Sequence, residues 1–571
     1  MERPWLKSYE RGVPAELAYP WVPLHRLLEQ AAEERPKRTA IIFFGRRMKY
    51  RELEGAANQF AHALIDLGVK PGERVAIHLP NCPQFVIAYY GALKAGAIVV
   101  ACNPLYVERE LAHQLRDSGS ETIVTLSKFY PQVQHIRTEA PLRNVIVTNI
   151  KDYFPRATKL LFTLVKERQE GHRVTIEAGD HVFLDLLEGR PDSRPGIAVW
   201  PEATALLQYT GGTTGVPKGA MLSHRNLVAN LVQGQAWNAG ARIGKERILC
   251  VLPFFHLYGQ VIGMNSAVQM ASAMILLPRF DVDEVLQTIS KYKPTLFPGV
   301  PTIYVMINDH PDVGKYNLKS IRACLSGAAP LPAEVQRRFE ELTGGARLVE
   351  GYGLTESGPL THANPMRGRR IPGSIGVPIP DTEARIVDVD TGEHDMPVGE
   401  AGELIIRGPQ IMQGYWNMPE ETAVALRDGW LYTGDIAQMD EDSYFYIVDR
   451  KKDMIISGGV NIYPREVEEI LYEHPAVREA AVIGVPDPHW GESPKAFVAL
   501  KDSAEVTPDD IIDFCRDRLA AYKVPKSVEF RDELPKTPIG KVLRRALREE
   551  EAGESEKAVE QATVVAIQPG D

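Results

Sequence analysis

Tyr209-Thr210-Gly211-Gly212-Thr213-Thr214-Gly215-Val216-Pro217-Lys218-Gly219 is the stretch on which the reading of this chain turns. Four glycines let the backbone come close to a ligand and present its N–H groups. Threonine hydroxyls add donors and a candidate metal ligand. Lys218 adds a point charge suited to phosphate. Such a loop suits a polyphosphate. It is not a Walker A loop, because no Gly-Lys-Ser/Thr closes it. A flexible linker fits less well, since Pro-Lys-Gly leads directly into an apolar run.

Working outward, the flanks alternate helix and strand. Tyr50 to Leu67 carries apolar residues at helical spacing and stops at Gly68. Arg74 to Leu79 follows a Pro-Gly turn and reads as a strand. Phe85 to Leu93 returns to helix, and Ala97 to Ala101 suits a buried parallel strand. Alternation of this kind implies a layered α/β domain. Ile150 to Gly189 is less regular and reads as an insertion or a partly mobile connection. Cys250 to Pro278 lacks Asp, Glu, Lys and Arg, but Pro253, His256, Gln260, Asn265 and Gln269 interrupt it. It reads as a buried loop and helix rather than a membrane span, and as a wall for an apolar substrate.

Beyond about residue 380 the texture changes. Gly402 to Gly408 and Tyr444 to Val448 read as short strands of a β-rich subdomain. Asp449-Arg450-Lys451-Lys452-Asp453 reads as a charged linker. Pro464 to His474 then reads as a helix, Ala480 to Val485 and Ala496 to Leu500 as strands, and Thr507 as the cap of a further helix. The expected fold class is α/β. A large N-terminal domain of layered α/β subdomains plus a β-rich subdomain fills 1–448, and a hinge linker covers 449–454. A small mobile α+β domain fills 455–548, and a polar tail 549–571.

Composition narrows the class. A length of 571 residues with 44% hydrophobic and 25% charged content is that of a globular protein of several domains. A formal net charge of −10 argues against a general nucleic-acid binder. Five scattered cysteines without CxxC spacing support neither a disulfide scaffold nor a metal cluster. With no apolar segment at the N-terminal end, they lead to the expectation of a reducing cytosol.

Further motifs give the loop its context. Gly351-Tyr352-Gly353-Leu354-Thr355-Glu356 combines a tight turn, an aromatic able to stack on a base, and a carboxylate. Alone it is no more than a capped turn. Ser326-Gly327-Ala328-Ala329-Pro330-Leu331, Asp428 to Lys452 with Thr433-Gly434-Asp435, and Leu534 to Val542 with Gly540-Lys541 complete the set. Together they resemble the adenylate-forming superfamily, which includes acyl-CoA synthetases, firefly luciferase and peptide-synthetase adenylation domains. Asn103 to Tyr106, Met221 to Asn226 and Tyr522 to Lys526 look like the bacterial long-chain fatty acyl-CoA ligases. The likeness covers nearly the whole chain.

The resemblance implies a two-step reaction. A carboxylate and MgATP give an acyl-adenylate and pyrophosphate, and the thiol of coenzyme A then displaces AMP. It implies that Thr210, Gly211, Gly212, Thr213, Thr214, Gly215 and Lys218 hold phosphate. Gly327, Ala328 and Ala329 form a main-chain shelf for adenine. Gly351, Tyr352 and Gly353 flank the base, and Thr355 lies near the α-phosphate. Glu356 and Thr210 bind Mg²⁺. Asp435 takes the ribose hydroxyls, and Arg450 the ribose or a phosphate. Lys452 is the hinge, Gly458 and Gly459 leave room for the pantetheine arm, Lys541 drives adenylation, and His256 lies near the substrate carboxylate. No Asp stands in Leu252 to Gly259 to pair with an ammonium, so an amino acid is disfavoured.

The implied partners are a fatty acid, ATP and coenzyme A, with no nucleic acid. The expected location is cytoplasmic, with peripheral contact at the inner face of the membrane following from a substrate that partitions into bilayers. A homodimer is left open. The alternatives are a medium-chain or aryl acid–CoA ligase, a luciferase-like oxidase, and a nucleotide-binding regulator.

Overall fold

The computed structural model describes residues 3–210, 217–457, 460–487, 490–501, 504, 506–536 and 542–551. The chain packs as two compact units. One comprises residues up to Ala384 with 406–432 and 442–444; the other comprises 385–405, 433–441 and the chain from Phe445 on.

The first unit is organised by an eight-stranded sheet. Its order runs Gly414–Tyr415, Lys218–Ser223, Thr204–Thr210, Ile98–Ala101, Arg74–His78, Thr122–Leu126, Asn144–Thr148, His181–Val182. The first two junctions are antiparallel and the others parallel. The parallel strands are buried almost throughout, which is why they read as unbroken apolar runs. The helix Tyr50–Asp66 ends where Gly68 takes a positive φ of 85°, as the periodicity requires. Its neighbour Pro83–Lys94 is buried along its whole length.

A second layer contains Arg247–Cys250, Ala273–Leu276, Thr39–Phe43 and Arg46–Lys49. Bridges Ile248↔Leu296 and Leu296↔Ala323 carry it on to the parallel pair Ala323–Ser326 and Arg347–Tyr352. The uncharged stretch 250–278 is thus spent on a strand end, a π-helix Gly259–Asn265, the short helix Ser266–Gln269 and a buried strand. No helix among the described residues is long and apolar enough to cross a membrane. Residues 150–189 are more ordered than their irregular pattern predicts. They form the helix Arg156–Val165 and the short helix Phe183–Leu187.

The second unit holds a sheet in the order Val460–Ile462, Ile455–Ser457, Gly491–Leu500, Val477–Asp487, with Ser527–Phe530 parallel to Gly491–Leu500. The helices Pro464–Glu473 and Pro508–Arg516 contribute Val467, Leu471 and Ile511 to its core with Val482 and Val498. Thr507 caps the second helix by accepting from Asp510 N–H, as its sequence predicts. The strand Phe445–Arg450 carries Asp449 and Arg450 at its end, and Lys451–Asp453 makes one 3₁₀ turn.

Candidate functional site

The site in the first unit begins at the mouth of the glycine–threonine stretch. Thr210 faces Lys218 across the antiparallel ladder, so the sheet fixes both ends of the stretch. Gly211, Gly212, Thr213, Thr214 and Gly215 lie outside the described residues. Lys218 Nζ sits 5.2 Å from the centre of the Tyr415 ring and is paired with Glu421. The Tyr415 hydroxyl donates to Glu356 Oε1 at 2.7 Å. Burial, then the neighbouring Glu356, pushes the Tyr415 phenol well above its ordinary range, so it remains a donor. Tyr415 is placed by pairing with Ala220 on the edge of the sheet. One aromatic residue thereby brings Lys218, Glu356 and the Thr210 ladder position into a single array.

Glu356 follows a turn that only glycine can make. A Cβ on Gly353 would lie 1.9 Å from the carbonyl oxygen of Pro359, far inside contact distance. Thr361 N–H bonds back to Tyr352 O at 2.9 Å, which closes the return. Tyr352, Thr355 and Glu356 are half-buried, with the Tyr352 ring edge-on to His362 at 5.9 Å.

Just past the end of the adjacent parallel strand, Gly327 is buried and Ala328 holds a left-handed φ of 69°. A side-chain-bearing residue there costs about 1–3 kcal/mol and persists only where its surroundings dictate it. The Tyr258 hydroxyl supplies part of that constraint, donating to Leu325 O at 2.7 Å and Gly299 O at 3.2 Å. The structure therefore brings together Gly327, Ala328, Ala329, Gly351, Tyr352 and Gly353 on neighbouring strand ends, as a shelf and turn for a flat ligand would need.

His256 lies on the loop leaving the strand Arg247–Cys250. Asn81 clamps that loop, donating to Cys250 O and Leu252 O at 3.1 and 2.9 Å and accepting from Phe254 N–H at 2.7 Å. His256 Nδ1 accepts from Tyr258 N–H at 3.3 Å. That bond puts the proton of the neutral ring on Nε2, as a donor.

The first unit also holds a cavity of about 80 Å³, lined in part by Trp237, Ile262, Met270, Phe297, Leu325 and Leu360. Among the described residues no charged side chain lines it. Ile262, Ser266, Gln269 and Met270 come from the uncharged stretch, which thus lines part of the cavity with uncharged side chains, two apolar and two polar. An ammonium entering here would meet no carboxylate.

The second unit carries a separate array. Asp435 is buried and registers with Arg450 across an antiparallel pair, Arg450 Nε lying 3.7 Å from Asp435 Oδ1. Gly434, with φ 69°, donates to Glu403 Oε1 at 3.1 Å, and Lys451 Nζ reaches Glu403 Oε2 at 2.9 Å. Lys452 is exposed. Arg544 gathers Asp449 at 3.0 Å, Asp453 at 3.2 Å and Glu468 at 2.5 Å, and Arg548 adds a contact to Asp453 at 2.9 Å. Burial would raise the Asp453 carboxyl, but Arg544, Arg548 and Lys452 outweigh it and hold it below the ordinary range. Gly458, Gly459 and Lys541 lie outside the described residues.

Sequence reading missed Tyr415, Glu421, Glu403 and Arg544. Tyr415 had a local cue, an aromatic beside a glycine after a strand-like run. Glu403 lies within Gly402 to Gly408 and Arg544 two residues past Val542, but neither those runs nor the surroundings of Glu421 signal the pairings.

The comparisons with known proteins agree with this geometry. Residues 28–416 match the model of the AMP-binding enzyme family, and 466–541 match the AMP-binding enzyme C-terminal domain. The chain belongs to this family, the adenylate-forming superfamily that the motifs resemble. Among curated relatives it is similar to a long-chain-fatty-acid–CoA ligase of Bacillus subtilis (strain 168). The two are 49% identical over 552 residues, covering 96% of this chain and 98% of the relative. Among solved structures it is similar to the anthranilate CoA ligase AuaEII in complex with anthranoyl-AMP. The TM-score is 0.83 at 30% identity, covering 95% of this chain and 99% of that one. ATP-bound MatB from Rhodopseudomonas palustris gives a TM-score of 0.81 at 30% identity, covering 93% and 99%.

Proposed function

We propose that this chain joins long-chain fatty acids to coenzyme A. It is an AMP-forming acid–thiol ligase, with ATP and coenzyme A as co-substrates. The observation that carries the substrate is the full-length likeness to the Bacillus relative, and the uncharged lining of the cavity supports it.

In the first half-reaction a carboxylate oxygen attacks the α-phosphorus of ATP, and the bond to pyrophosphate breaks. In the second, the thiol of coenzyme A gives up its proton to solvent and attacks the acyl carbon as the thiolate, and AMP leaves with the bonding electron pair. Both steps need an anion to approach an electrophile surrounded by negative charge. At 4 Å and an effective dielectric of 20, one charge pair is worth about 4 kcal/mol. Lys218 and Lys541 are proposed to supply positive charge to the phosphates. His256 Nε2–H holds one oxygen of the acid, and Thr355 takes an α-phosphate oxygen. Gly351, Tyr352 and Gly353 with Gly327 to Ala329 orient the base, and Asp435 and Arg450 bind the ribose. Thr210, Gly211, Gly212, Thr213, Thr214 and Gly215 cradle the phosphates.

Glu356, oriented by Tyr415, is a single carboxylate suited to a hard cation that takes its other oxygens from phosphate and water, with Thr210 as its second protein ligand in this reading. When bound, Mg²⁺ supplies positive charge that offsets that of the triphosphate. Residues 449–454 act as the hinge about Lys452, and 455–548 turn between the half-reactions. Gly458 and Gly459 then leave room for the pantetheine arm. Peripheral docking to the cytoplasmic face of the membrane follows from the substrate, and a homodimer is compatible with this chemistry.

The test is AMP formation with a panel of carboxylic acids, with and without coenzyme A. Turnover that depends on both palmitate and coenzyme A is expected. Turnover confined to aryl acids such as anthranilate would overturn the substrate assignment. ATP binding without turnover of any acid would overturn the enzyme.

A further inference from the structure

The helix Arg156–Val165 shows the wrong face to water. Leu160, Leu161, Leu164 and Val165 are 63%, 63%, 75% and 54% exposed. At 100° per residue these side chains and Ala157 share an arc of about 140°. Phe162, on the other side, is buried against Phe154 and His172, with ring centres 5.5 and 5.7 Å away. The helix is thus pinned from beneath, and its aliphatic stripe is held outward. Phe154 also touches Phe44, which is itself 41% exposed, at 4.7 Å. Nothing in the ligase chemistry uses this segment.

The rim is basic. Between 151 and 173 stand six Lys/Arg and three Asp/Glu, in a chain whose net charge is −10. Lys151 is neutralised by Glu167 at 2.6 Å. Arg156, Lys166, Arg168 and Arg173 are exposed; Lys166 has Glu170 at 3.9 Å and also feels the charge of Glu284. An aliphatic stripe flanked by Lys and Arg is the pattern of a helix that lies in a lipid interface. A second copy of the chain suits it less well. A two-fold interface would set the same basic rim against itself, and the stripe offers none of the aromatic anchors usual at such interfaces.

We propose that Arg156–Val165 docks the enzyme on an anionic lipid surface, with Leu160, Leu161, Leu164 and Val165 entering the acyl boundary and Arg156, Lys166 and Arg168 meeting the headgroups. The assignment rests on the docking reading above and gives it a surface. The rest of the chain, being acidic, is repelled by the same lipid, so the basic helix also sets the orientation.

The test uses the full chain and vesicles of phosphatidylcholine alone or mixed with phosphatidylglycerol. The wild type should sediment with the anionic vesicles, more weakly with the neutral ones, and less at high salt. Leu161→Glu/Leu164→Glu should lower binding to anionic vesicles by about tenfold or more, while turnover of a short, monomeric acid stays unchanged. Because all five native cysteines are buried, Leu164→Cys can be labelled with a polarity-sensitive dye, whose emission should shift to the blue on anionic vesicles. Wild-type protein that stays soluble with every vesicle overturns docking itself. Sedimentation undiminished in the double variant, or a label that does not shift while the protein sediments, overturns the helix alone. A blue shift that grows with protein concentration and needs no vesicles assigns the face to a second copy and also overturns the proposal.

Discussion

The turn after Tyr352 and the joint around Arg544 are built from different forces. The first is a matter of backbone room. Gly353 passes so close to Pro359 that no side chain fits, and Ala328, just past the neighbouring strand, sits in a left-handed conformation. The second is a matter of charge. Asp449, Asp453 and Glu468 converge on one guanidinium, and Arg465 N–H adds a bond to Asp449 Oδ2 at 2.7 Å. A wall set by sterics has one shape, which suits holding a rigid base and phosphate. A joint set by ion pairs can exchange partners at little cost in packing, which suits a segment proposed to turn. The two should therefore fail under different insults.

The largest failure is expected in the joint. Arg544→Met keeps the length of the side chain but leaves Asp449 and Glu468 without their cation and Asp453 with Arg548 alone. Breaking a buried pair in this way costs about 3–5 kcal/mol. Hydrogen exchange in 464–500 should quicken accordingly while the first unit keeps its protection. Unchanged exchange would mean that the carboxylates find other partners. In the wall, Gly353→Ala displaces the Tyr352–Glu356 turn. A shift of about 1 Å in a positioning element costs roughly 100-fold in rate, so pyrophosphate release should fall by that much. Normal release from a folded variant would show that the turn yields without consequence.

Acid separates the regions next. Burial lowers the imidazoles of His78 to about 4 and of His224 and His362 to about 3, all in the first unit. Below pH 6.5 the unfolded chain binds protons that these folded sites refuse. The stability they allow is full above 6.5 and falls as pH drops, by about 1.4 kcal/mol per pH unit for each histidine. Asp453 is shifted down as well, being held below its ordinary 3.8, so its window lies at lower pH. Its contribution is present above 3.8 and is lost only as pH falls through its lower folded value. Six of the seven tryptophans belong to the first unit. Urea unfolding followed by their fluorescence should show a falling midpoint from pH 6.5 to 4.5, and a flat midpoint would refute the burial of these rings.

The same contrast explains what could be read in advance. Periodicity was enough for Tyr50–Asp66 and Arg74–His78, because their burial repeats along the chain. It was not enough for Arg156–Val165, whose apolar face points away from the core and so obeys no packing rule. Gly491–Leu500 begins with Gly-Glu-Ser-Pro, poor strand formers that only a long partner strand, Val477–Asp487, draws into the sheet. In the site, motif residues were legible because phosphate and base chemistry demand particular types at fixed spacing. Their supports were not. Glu356 meets Tyr415 across 59 positions, and Arg544 meets Asp449 across 95, which no local pattern can report.

Tyr415 gives the finest test, because it touches the wall and a charge at once. Its hydroxyl orients Glu356 while its ring lies beneath Lys218. Tyr415→Phe keeps the ring, the edge-strand pairing and the contact with the ammonium, and deletes one donor to one carboxylate oxygen. If Glu356 holds the metal, losing the group that orients it should weaken Mg²⁺ about 10-fold or somewhat more. The expected signature is a raised Mg²⁺ requirement with kcat nearly restored at saturating Mg²⁺ and an unaltered midpoint of unfolding. A lower kcat at every Mg²⁺ concentration would instead place the loss on Lys218 and the phosphates. An unchanged Mg²⁺ requirement would separate the hydroxyl from metal binding altogether and leave Glu356 held by the turn alone, which would make even this carboxylate a product of backbone geometry rather than of charge.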